Sequence, residues 1–127
     1  MKNSFLKFTF LMAALTSLSF FTSCTTDVDE DPFDISECGV IEAVSLQNDI
    51  IPVFQGRCFG CHASNVASGG VDLEDYNSLK LVADSGNLLG AIKHDSGYEA
   101  MPKNDNKLDP CQIETIRIWI LEGSLNN

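Results

Sequence analysis

Residues 57–64 read RCFGCHAS, so Cys58 and Cys61 stand three positions apart with His62 directly behind the second. Four chemistries use such a group. A redox dithiol needs one thiolate stabilised at a helix start, usually within strand–helix–strand units, and the chain shows no convincing strand pattern. A structural zinc ion needs four ligands; His94 or another cysteine would have to complete the set, and adjacent Cys61 and His62 suit one tetrahedron poorly. A plain Cys58–Cys61 disulfide leaves His62 without a part. A covalently attached haem uses all three. The two thiols add across the vinyl groups as thioethers, and the histidine behind them swings under the iron as its proximal ligand.

A low-spin haem iron takes a sixth ligand, for which the chain offers Met101, in AMPK, and His94. Methionine sulfur is soft, and His/Met ligation raises the reduction potential. Met101 stands in a polar loop directly before Pro102, whose ring stiffens the backbone that would present the sulfur. It follows His62 by 39 residues, a reasonable span for wrapping one haem. Met101 is therefore the expected distal ligand, and His94 is expected at the haem edge or the surface. An open distal site would point instead to a haem enzyme or gas sensor.

The compartment must permit this chemistry. Residues 1–23 carry Lys2 and Lys7, then an apolar run from Phe8 to Leu18, then small polar residues before Cys24. That is the pattern of an export signal, too short in its apolar part for a membrane span. FTSC resembles a lipobox, with Ser23 ahead of the cysteine and Phe21 where leucine is usual; the resemblance implies lipid on Cys24 and a membrane anchor. Residues 24–37 read as an acidic tether. From Cys24 to Gly56 there are eight acidic residues and no Lys or Arg, and such a segment repels itself and stays extended. An acidic run after a lipidated cysteine also resembles the surface-export signals of some Gram-negative lipoproteins, so the expected location is the periplasm or the cell surface.

Five cysteines are then all accounted for. Cys24 takes lipid, Cys58 and Cys61 belong to the motif, and Cys38 and Cys111 remain as a pair that should oxidise outside the cytoplasm. The loop closed spans 73 residues, worth roughly 4 kcal/mol in the chain-entropy model. With 127 residues in all, residues 38–127 suffice for one domain. The formal charge of −10 becomes −12 once Lys2 and Lys7 are removed. That excludes nucleic acid and favours a redox partner that offers a basic patch.

Short helices must position these residues. NDIIPVFQGRC reads as a helix capped by Asn48 or Asp49, with Pro52 near its first turn, Gly56 interrupting it, and Ile50, Val53 and Phe54 on one face. ASNVASGG is loop. Leu73, Tyr76, Leu79 and Val82 recur at helical intervals, and NLLGAIKH is a further short helix weakened by Gly90. DSGYEAMPKNDNKL is a polar loop. The best-marked helix is DPCQIETIRIWILEG: Asp109 caps it, Pro110 starts it, Gln112 reaches back, and Gly123 ends it. Ile113, Ile116, Trp119 and Ile120 form its apolar face.

Taken in order, NDIIPVFQGRCFGCH, SGGVDLEDYNSL, AMPK and IETIRIWILEGSLNN resemble the class I cytochromes c, over roughly residues 46–127. The resemblance implies an all-α cytochrome c fold, a few short helices around one covalently bound haem c, with the first and last helices packed across each other. It implies attachment at Cys58 and Cys61, iron ligation by His62 and Met101, and one-electron transfer rather than catalysis. Two features depart from the family. The stretch between Tyr76 and Met101 is compact, and the Cys38–Cys111 pair is not part of the general pattern.

Overall fold

The computed structural model describes residues 38, 39 and 43–127. The expected signal and acidic tether, with Cys24, lie outside the described residues.

The first helical segment begins earlier than its sequence suggests. Ser45, not Asn48 or Asp49, is the cap: its Oγ accepts from the Asn48 amide at 3.2 Å. Asp49 closes the same turn, accepting from the Ser45 amide at 2.8 Å. The first turn, Leu46–Ile50, is a wide π-turn that runs directly into helix α1, Ile51–Arg57. A proline in a helix withholds a donor and crowds the preceding carbonyl ladder, and the ladder widens in the turn directly ahead of Pro52. Gly56 does not interrupt α1. The break comes at Cys58, whose φ of −123° and ψ of −41° leave the helical region before a single turn, α2, Phe59–His62.

Beyond the glycine-rich loop, Asp75 caps α3, Tyr76–Asp84, by accepting from the Ser78 amide. Leu79 and Ala83 are the buried residues of α3, and Leu73 reaches the core from just ahead of it. Helix α4, Asn87–Lys93, buries Leu88, Gly90 and Ile92. Gly90 does more than weaken the helix. A Cβ there would stand 2.6 Å from the Tyr98 ring, so the missing side chain is what lets Tyr98 lie against α4.

Helix α5, Pro110–Leu121, follows its sequence signals closely. Asp109 and Gln112 form a reciprocal capping box, and Gly123 leaves the helix at a φ of +96°. Ile116 and Trp119 are fully buried, while Ile113 and Ile120 pack at the margin of the same core.

These elements share one core of Val44, Leu46, Ile50, Phe54, Leu73, Leu79, Ala83, Leu88, Ile92, Leu108, Ile116 and Trp119. The opening turn and α5 meet in it, and polar contacts seal the junction. The Val44 amide donates to Glu122 Oε2 at 3.1 Å, and the Leu46 amide donates to Asn127 Oδ1 at 2.8 Å. Cys38 and Cys111 are joined as a disulfide with Cα atoms 5.3 Å apart, fastening residue 38 to the first turn of α5. The domain is all-α: the described residues contain no strand.

Candidate functional site

The kink at Cys58 separates the fates of the two motif thiols. Cys58 is half-buried and Cys61 is exposed, and neither is bonded to the other, although Cys38 and Cys111 are bonded. Burial pushes the Cys58 thiol up to about 11, an effect that the neighbouring Arg57 charge only partly offsets. A redox dithiol needs the opposite shift, towards a stabilised thiolate. As a redox pair, the motif is poorly served.

His62 closes the α2 turn, its amide donating to the Cys58 carbonyl at 2.9 Å. Its ring is fixed from the loop that follows. His62 Nδ1 lies 3.1 Å from the Val71 carbonyl oxygen, and a carbonyl can only accept, so Nδ1 donates and the lone pair of the neutral ring falls on Nε2. The backbone repeats the tie, with the Leu73 amide donating to the His62 carbonyl at 2.8 Å. Gly69 and Gly70, at φ of +66° and +78°, turn the chain so that Val71 comes back to the ring. Glu74 steadies this loop by accepting from the Ser64 amide at 2.8 Å. The result is a donor nitrogen of fixed tautomer directly behind two unbridged thiols, which is how proteins orient a metal-binding imidazole.

Met101 is half-buried, and its backbone is held at both polar atoms by the end of α4. Its amide donates to the Ala91 carbonyl at 3.0 Å, and its carbonyl lies 3.0 Å from His94 Nε2, which must therefore donate. His94 itself is exposed, in the left-handed conformation that ends α4 at a φ of +56°. The His94 ring is thus tied through Nε2 to the methionine loop. Among the described residues, no three His, Cys, Asp or Glu side chains gather in a way that could hold a metal ion, so the four-ligand zinc arrangement is not assembled.

One residue ties the two halves of the site together, and sequence reasoning missed it. Arg57, immediately before Cys58, sends Nη2 to the Asn106 carbonyl at 2.8 Å and to Asp105 Oδ2 at 3.5 Å. The motif and the loop carrying Met101 are thereby joined across 49 residues of sequence. Val71 was missed too, because a backbone carbonyl leaves no signature in residue type. No family model, curated protein or solved structure matches the chain. Its function is read from these residues alone.

Proposed function

We propose that the chain is a c-type cytochrome, an exported one-electron carrier of the cytochrome c fold with one covalently attached haem c. Cys58 and Cys61 would form the thioethers, His62 Nε2 would be the proximal ligand, and Met101 Sδ the distal one. The single observation carrying this reading is the 3.1 Å contact from His62 Nδ1 to Val71, which makes Nε2 the ligating nitrogen of the neutral ring, directly behind two free thiols. When bound, such a haem supplies a one-electron couple, and two protein ligands keep reorganisation small at each transfer.

The chain's own residues would supply the rest. Val71 sets the donor strength of the imidazole through its carbonyl. His94 and Ala91 hold the Met101 backbone in place. The acidic surface would steer the protein to a basic patch on its redox partner. Lipid on Cys24 would hold it at a membrane, at the periplasmic face or the cell surface; no described helix is long and apolar enough to cross one. A haem enzyme or gas sensor with an open distal site is the rival. It is less well served, because His94 spends Nε2 on the Met101 carbonyl and so helps hold the loop that would supply a sixth ligand.

Covalent attachment tests the proposal. Colour from the protein matured with haem should stay with the polypeptide through acidic acetone, and Cys58→Ala with Cys61→Ala should abolish it. Extraction of all haem from the unmutated chain would refute thioether bonding.

A further inference from the structure

The loop that carries Met101 is held at two places. One is the end of α4, through Ala91 and His94. The other is Arg57, which reaches Asn106 and Asp105 from the residue adjoining Cys58. Among the described residues, Arg57 makes the only hydrogen bond between residues 99–107 and the α1–α2 segment. Between the two holds lie Pro102, Lys103 and Asn104, too short a stretch to move independently of both.

We propose that Arg57 is a positioning residue for the sixth iron ligand, fastening the Met101 loop to the haem-attachment motif. The proposal rests on the cytochrome reading above. Its chemistry is a charge-assisted hydrogen bond from a guanidinium to a main-chain carbonyl, the stronger of the two contacts. The ion pair with Asp105 is largely solvated, with that side chain 58% exposed, and adds little. With Arg57 in place, the loop would stay closed and Met101 would remain in place as the sixth ligand. Without it, the loop opens more often, and an external ligand meets a vacated site more often. The apparent affinity of such a ligand scales with the open fraction.

The test uses the full exported chain loaded with haem, in the ferric state, titrated with imidazole and followed by absorption. Arg57→Ala should tighten imidazole binding about tenfold, the factor corresponding to loss of one such hydrogen bond. Arg57→Lys keeps the charge but loses the planar fork, and should fall between the two; it serves also if Arg57→Ala does not fold. Asp105→Ala should tighten binding by no more than about threefold. In a Met101→Ala background, Arg57→Ala should change nothing, because there is no ligand left to hold. Equal imidazole affinity with and without Arg57 would overturn the proposal, as would the same tightening in the Met101→Ala background. A colourless unmutated protein would remove the cytochrome reading and this proposal together. A haem-loaded protein indifferent to Arg57 removes this proposal alone.

Discussion

His62 Nδ1 faces the carbonyl oxygen of Val71 at 3.1 Å, nine residues further along the chain. The contact depends on Gly70, whose φ of +78° a side chain rarely adopts. Gly70→Ala should therefore cost about 1 kcal/mol or somewhat more in stability. It should also disturb the carbonyl that polarises His62. A weaker hydrogen bond makes the imidazole a poorer donor, so the reduction potential of the haem-loaded variant should rise. An unchanged potential in a destabilised variant would show that the Val71 contact orients the ring without tuning the iron.

The two thiols should differ before haem is added. With Cys58 pushed up to about 11 by burial, its thiolate is scarce at neutral pH and grows as pH rises towards that value. The exposed Cys61 sulfur should be alkylated first by iodoacetamide in the unloaded protein, with Cys58 following only at alkaline pH. The linkage runs the same way. A folded-state value above the ordinary thiol value of 9.0 means the unfolded chain releases this proton first, so stability should fall as pH rises from about 9 to about 11. Faster alkylation at Cys58, mapped by peptide mass, would contradict this.

Gly90→Ala places a methyl group 2.6 Å from the Tyr98 ring. The ring has to shift, at a cost of about 1–3 kcal/mol in unfolding experiments. Adding Tyr98→Ala should recover part of that loss, a coupling that a simple helix-propensity effect would not give. Alanine is the better helix former, so stabilisation by Gly90→Ala would show that the ring yields freely.

What could be read from the sequence was whatever depends on neighbours along the chain. The α5 boundaries follow from Asp109, Pro110, Gln112 and Gly123, all within one helix. The Cys38–Cys111 bond was legible by elimination, once the sequence patterns had assigned expected parts to the other cysteines. Longer-range effects were not legible. Gly90 looked like a weakness in a short helix until Tyr98, eight residues away, was found on top of it. Gly56 stays helical because Phe54, two residues earlier in the same helix, is fully buried, and packing outweighs a glycine's modest propensity cost. Arg57 could not be assigned to Asn106, since its strongest contact is a main-chain carbonyl that any residue would offer.

Replacing both Cys38 and Cys111 by serine should lower stability by up to about 4 kcal/mol, the chain-entropy value for a loop of this length. Denaturant unfolding would measure it. Haem content and spectrum should stay unchanged, because the bond fastens residue 38 to α5 rather than to the motif. Loss of haem in the double variant would mean that the bond shapes the pocket itself.

The central claim is that the iron would be held by His62 on one side and Met101 on the other. Absorption spectra of the exported, full-length protein in both oxidation states test it most directly, alongside Met101→Ala and His94→Ala. The account predicts a red protein with a low-spin haem spectrum and a weak near-infrared sulfur-to-iron band in the ferric state. That band should vanish in Met101→Ala and persist in His94→Ala. A colourless protein, or a band lost with His94 and retained without Met101, would contradict it.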